Sequence, residues 1–135
     1  MRLVIVIGFL FFLVAGCKKK IEKIKENAVI SAMTDGQWIV ASFVKNGSNI
    51  TLDFSNYKFQ FFSNNTVDAI KNGNVEKTGT WSGDAATMTI ESNFTNVILP
   101  LSLINGNWHI DNNSWTFVVA SQKSVDEKTM RLEKL

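Results

Sequence analysis

The sequence predicts an all-β fold, an antiparallel up-and-down meander that closes into a small barrel, and three observations carry that prediction. Tyr57, Phe59 and Phe61 alternate with Lys58 and Gln60, the period of two that marks a half-buried strand. Turn residues recur at short spacing, as Asn46-Gly47, Ser63-Asn64-Asn65, Asn72-Gly73, Ser82-Gly83-Asp84 and Asn105-Gly106-Asn107. Between these segments no amphipathic helix of crossover length occurs, and a parallel sheet would need one.

The elements follow in chain order from an apolar leader. Met1-Arg2 gives a small positive start, and Leu3 to Ala15 is apolar throughout apart from Gly8. That is the order and length of a secretory signal core, shorter than the roughly 20 apolar residues a spanning helix needs. The leader runs straight into Cys17, the sole cysteine, and Lys18-Lys19-Lys20 follow. The segment Leu13-Val14-Ala15-Gly16-Cys17 resembles the lipobox of bacterial lipoproteins. The resemblance implies alkylation of the Cys17 thiol with a diacylglyceryl group, cleavage before Cys17 and acylation of the new amine, with residues 1–16 as signal peptide. Lys18 after the cysteine, in place of an aspartate, resembles lipoproteins sorted to the outer membrane. With one cysteine, no internal disulfide can form.

Residues 17–33 carry five Lys against two Glu, whereas residues 34–135 carry eight Lys and Arg against ten Asp and Glu. The positive charge therefore sits on the tether, where lysines beside an acylated cysteine face anionic headgroups. Nucleic-acid binding would need basic residues spread over the folded body, so that class is set aside and the membrane is the expected partner.

From Lys19 to Met33 the stripe Ile21, Ile24, Ala28, Ala32 predicts a short helix that stops at Thr34-Asp35-Gly36. Gln37 to Val44 is β-branched and aromatic, a first strand. Asn49 to Phe54 fits either a short strand or a loop that tucks Phe54 inward. Tyr57 to Phe61, Thr66 to Lys71, Asn74 to Trp81 and Thr87 to Glu91 continue the meander. Pro100 suits the first turn of a short helix over Leu99 to Ile104, and Trp108–Asp111, Ser114–Ala120 and Thr129–Leu135 close the sheet.

Gly36-Gln37-Trp38 resembles the G-x-W signature of lipocalins. Asp53-Phe54-Ser55-Asn56-Tyr57-Lys58-Phe59-Gln60-Phe61, Thr66-Val67, Gly79-Thr80-Trp81-Ser82, Pro100-Leu101, Trp108-His109-Ile110 and the closing Met130 to Leu135 resemble the small lipocalin-like lipoproteins of Bacteroidota. That resemblance implies an eight-stranded lipocalin-like barrel over residues 34–135, lipid-anchored to the cell envelope through the tether 17–33. Lipocalins commonly pack a basic residue over the first-strand tryptophan. Arg131 is near the right place, but alternation with Met130 and Leu132 turns it outward.

Alternation assigns an inward set of Trp38, Val40, Tyr57, Phe59, Phe61, Val67, Trp81, Met88, Ile90, Trp108, Ile110, Trp115, Phe117, Val119, Met130 and Leu132. An eight-stranded barrel is either filled by side chains or holds one small ligand, and this many aromatics favour filling, with any cavity small and at one mouth. Trp38, Tyr57, Phe59, Trp81, Trp108 and Trp115 are the candidate ligand contacts. The expected ligand is small and apolar or amphipathic. The rival expectation is a solid barrel that docks an envelope protein through an exposed patch around Phe43, Phe62, Phe94 or Val118.

No enzymatic constellation is expected. His109 is the only histidine and faces outward with Asp111, a poor metal site. No nucleophile elbow or phosphate loop occurs, and no cofactor is expected. A hydrolase reading would need His109 in a pocket beside a carboxylate.

Overall fold

The computed structural model describes residues 28–124 and 126–135. The leader 1–16, Cys17 and the tether up to residue 27 lie outside the described residues. The described chain enters as a helix, α1 (28–34), ended where Thr34 Oγ1 donates back to the Ile30 carbonyl at 2.7 Å and Gly36 takes φ 79°. Met33 on this helix is buried and plugs the adjoining barrel end. Its carbonyl accepts the indole N–H of Trp38 at 2.9 Å, which fixes the helix to the first strand.

Nine strands follow: β1 Trp38–Lys45, β2 Ser48–Asn49, β3 Tyr57–Phe61, β4 Thr66–Lys71, β5 Asn74–Asp84, β6 Thr89–Asn93, β7 Gly106–Asn113, β8 Phe117–Lys123 and β9 Glu127–Lys134. Two 3₁₀ turns, η1 Thr51–Phe54 and η2 Leu101–Ile104, interrupt them. Every pairing is antiparallel. The sheet closes where β1 meets β9 from Trp38↔Lys134 to Lys45↔Lys128. Eight strands make the closed barrel and β2 is a two-residue addition on β1. Closure leaves no long free edge, the usual aggregation hazard of a sheet. The β1–β3 seam is the thinnest, joined only at Trp38↔Phe59. Asn46-Gly47 and Asn72-Gly73 both take positive φ at both positions, the geometry a two-residue hairpin demands.

Inside, Phe43 stacks on Phe54 at 4.9 Å and meets the edge of Trp108 at 5.9 Å, while Tyr57 stacks on Phe59 at 6.1 Å. Phe61 meets Trp81 edge-on at 5.3 Å. Rings at these separations and angles are favourable pairs beyond their area alone.

Several expectations are corrected. Phe43, Phe94 and Val118 are core residues, and Phe62 is half-buried, so they form no exposed patch. A bulge between Val40 and Ser42 shifts the phase of β1, so the inward row runs Trp38, Val40, Phe43. On β8 the inward residues are Val118, Ala120 and Gln122, not Phe117 and Val119. Residues 117–120 are apolar on both faces, so the alternation that placed Phe117 and Val119 inside fits the opposite phase as well. The crowded interior takes the smaller pair, and Phe117 instead lies under the Arg131 guanidinium at 4.4 Å. Met88 and Trp115 sit in turns and are exposed. Residues 49–54 form the loop alternative, with Phe54 tucked inward. The strand predicted over Thr87–Glu91 runs two residues later, and the predicted helix over Leu99–Ile104 is the shorter η2.

Candidate functional site

The barrel interior is nearly full. Its cavity, lined by Phe61, Val67, Ile90, Phe94, Trp108, Met130 and neighbouring apolar residues, measures about 20 Å³, close to the room one water occupies. Room for a larger molecule exists at the two ends.

At the end where the polypeptide enters, an open groove of about 570 Å³ runs between Val29 and Ala32 of α1 and the turns carrying Ala85, Met88, Ser114 and Trp115. The other end is the mouth, covered by η1 and η2. Here a groove of about 450 Å³ is lined by Lys45, Ile50, Asp53, Leu99, Pro100 and Leu103. Leu52, Ile98 and Leu99, which are 85%, 81% and 66% exposed, are the most exposed large aliphatic residues among those described; Leu52 lies on η1, and Ile98 and Leu99 on the loop that leads into η2. Ligand grooves of this kind combine apolar walls with a few fixed polar groups, and the mouth has both.

Local chemistry explains why the covers hold their shape. Asn49 Oδ1 accepts from both the backbone N–H and the hydroxyl of Thr51, and Thr51 Oγ1 accepts from the Phe43 N–H at 2.9 Å. That hangs η1 on β1 and drives Phe54 down onto Phe43. The end of η2 leaves carbonyls with no partner in the turn itself, the general problem of a helical terminus. Side chains from the barrel wall meet them. Lys128 Nζ donates to the Leu103 carbonyl at 3.3 Å, Ser92 Oγ and Trp108 Nε1 donate to the Ile104 carbonyl at 2.9 and 2.8 Å, and Gln122 Nε2 donates to the Asn105 carbonyl at 3.0 Å. Asn105 is also paired both ways with the Phe94 backbone.

Lys128 projects inward with Met130 and Leu132 and is 9% exposed, its ammonium 5.6 Å from the centre of the Trp108 ring. Burial pulls its pKa below the ordinary lysine value, with the Asp126 carboxylate pulling the other way and the Lys45 charge adding to the depression. Tyr57, beneath the mouth, is pushed up to about 12 by burial and by its hydrogen bond to Glu76.

Of the six residues singled out from sequence, Trp38, Tyr57, Phe59, Trp81 and Trp108 are buried wall and core, and none of them lines the mouth groove. Phe59 and Trp108 touch the small interior cavity. Trp115 lies at the opposite end, half-exposed, on the groove beside α1. The residues that do line the mouth were missed, although two signals existed. Val97-Ile98-Leu99 is an aliphatic run in an irregular, asparagine-rich stretch, and alternation from Leu132 and Met130 places Lys128 inside. His109 is exposed and paired with Asp111 at 3.1 Å. Hydrogen bonds from Ser121 first and His109 second hold the Asp111 carboxyl below the usual range. The pair borders none of the grooves described. Among the described residues no group of three His, Cys, Asp or Glu is placed to hold a metal.

In sequence the chain matches no family model and no curated protein. In structure it is similar to a DUF4847 family protein from Bacteroides vulgatus, with a TM-score of 0.56 and 14% identity over 78% of this chain and 96% of that one. It is also similar to a lipocalin-like protein from Bacteroides uniformis, with a TM-score of 0.53 and 13% identity over 76% of this chain and 98% of that one. The fold is therefore lipocalin-like. At these identities the likeness concerns the fold alone.

Proposed function

We propose that this chain is a non-enzymatic envelope lipoprotein, acylated at Cys17 and held at the outer membrane, whose lipocalin-like barrel binds a small apolar or amphipathic ligand at its mouth. The leader and the lysine-rich tether support the anchoring. The observation that carries the binding reading is the groove of about 450 Å³ with Ile50, the exposed Leu99, Pro100 and Leu103 in its wall, above an interior too full to admit a ligand. Exposed clustered aliphatics cost solubility and are kept where something covers them. The ligand would lie across the mouth, its apolar part against Ile50, Leu99 and Leu103.

A direct test is saturable binding of Nile red to the full chain, with displacement by lipophiles. Replacing Leu99 by Asp should abolish binding, whereas Met88→Asp at the opposite end should leave it intact. Dye binding that ignores Leu99→Asp, or no saturable binding, counts against the reading.

The filled interior also favours a second reading, a solid barrel whose mouth docks a protein of the envelope. Native mass spectrometry of the protein from its own host separates the two. A co-purified small molecule supports the first, and a stoichiometric protein supports the second.

A further inference from the structure

The mouth contains a pair of lysines that the covers alone do not require. Lys45 and Lys128 are direct partners across the β1–β9 ladder, and partners of this kind project to the same side of the sheet. Like charges so placed repel and destabilise a ladder. One of the two, Lys128, is nine-tenths buried, and among the described residues no carboxylate lies within 4.0 Å of its ammonium. Asp126 is 3.9 Å from Lys45 and is further engaged by Asn46 Nδ2 at 3.0 Å. Asp53 also lines the groove and makes no ion pair with either lysine within 4.0 Å.

The hydrogen bond to the Leu103 carbonyl does not explain the charge. Gln122 satisfies the next-but-one carbonyl, that of Asn105, with a neutral amide, and a glutamine could do the same for Leu103. An ammonium has three donors, and Leu103 takes one of them. The Trp108 face attracts the cation but is no counter-charge. A buried charge of this kind is costly unless it is paired, and the one carboxylate that acts on Lys128, Asp126, does so from beyond 4.0 Å and is shared with Lys45. Lys45 and Leu103 both line the mouth groove, and Lys128 is bonded to the backbone of the latter.

We propose that Lys45 and Lys128 together receive the anionic head of an amphiphile, a carboxylate or a phosphate, whose apolar tail lies along Ile50, Leu99, Pro100 and Leu103. The inference rests on the reading that the mouth groove binds a lipophile, and it names the class: a single-chain anionic lipid or lipophilic acid. A head between the two ammonium groups would replace their repulsion by two charge-assisted contacts, which are shorter and stronger than neutral ones. It would meet Lys128 without breaking the bond to Leu103, because two donors remain.

The test compares three ligands of equal chain length, decanoate, decyl phosphate and decanol, by calorimetric titration of the full chain and of its Lys128→Gln and Lys45→Met variants. Lys128→Gln keeps a donor for Leu103, and an unchanged melting temperature shows that the cover is intact. If that variant fails to fold, Lys45→Met carries the comparison. In the unaltered chain at least one of the anionic ligands should bind about tenfold or more tighter than decanol, the scale of a charged hydrogen bond. Either substitution should reduce that advantage, read as the ratio of anion to decanol affinity in the same variant, to about threefold or less. The tighter of decanoate and decyl phosphate identifies the head group. Equal binding of acid and alcohol would overturn the anion site and leave the mouth groove standing. An advantage that survives both substitutions would also overturn it. Failure of all three ligands would overturn the mouth reading itself.

Discussion

The ammonium of Lys134 lies 5.1 Å from the centre of the Trp38 ring and 4.5 Å from that of Trp115, and it reaches Asp35 at 3.4 Å. The basic residue over the first-strand tryptophan is thus Lys134. Arg131 faces outward, as alternation indicates, and covers Phe117. Since Trp38 and Lys134 are also the first register pair of the β1–β9 closure, this contact ties the barrel seam to the packing of its closed end. Replacing Lys134 by Met should cost about 1–2 kcal/mol, the upper range for a cation over aromatic faces with little solvent access. Arg131→Met should cost less, since that side chain is 40% exposed. Urea denaturation of the two variants measures both, and equal losses would refute the assignment.

Gly79 on β5 passes unusually close to the neighbouring strand. A Cβ there would fall 2.4 Å from the Asn93 carbonyl oxygen and 2.7 Å from Phe94 Cδ1. The first is backbone and cannot swing away. Gly79→Ala should therefore destabilise by about 2–3 kcal/mol, seen as a lower urea midpoint, whereas Gly73→Ala has open space around the new methyl and is limited by its backbone angle of φ 82°.

Phe43 tests the bulge on β1. A residue on the barrel surface would tolerate truncation, but this ring is fully buried between Phe54 and Trp108. Phe43→Ala should cost about 3–5 kcal/mol and loosen η1, detectable as faster amide exchange at Thr51 to Phe54. A change below about 0.5 kcal/mol, the usual surface value, would return Phe43 to the outside.

Tyr57 gives a pH signature. Its phenol is held at about 12 against an ordinary 10, first by burial and then by Glu76. A folded pKa above the unfolded one contributes stability that is complete below pH about 10 and is lost as pH rises through about 12. Urea unfolding between pH 9 and 12 should show a decline in the unaltered protein that Tyr57→Phe lacks. Parallel curves for the two would contradict it.

Strand order and closure were legible because alternation at Tyr57 to Phe61 and paired positive-φ turns at Asn46-Gly47 and Asn72-Gly73 act locally. What alternation could not reveal was a change of phase. The bulge near Ala41 moved Phe43 inside, and in the run Phe117 to Ala120, apolar on both faces, the phase that puts Phe117 and Val119 inward was no better marked than the observed one. The mouth was harder still. Its floor depends on Lys128, Gln122, Ser92 and Trp108 converging on three consecutive carbonyls, residues that lie as far as 25 positions from their partners. Charge at an inward strand position looks anomalous in a sequence, and only the folded barrel shows that Lys45 stands opposite.

Where a lipophile binds is the central question. Amide-shift mapping of the full chain during a decanoate titration gives the most direct answer. Saturable shifts should cluster at Lys45, Ile50, Leu99 to Leu103 and Lys128, leaving Phe61, Val67 and Ile90 of the interior and Met88 and Trp115 of the other end unmoved. Shifts centred on either of those regions, or none that saturate, would contradict it.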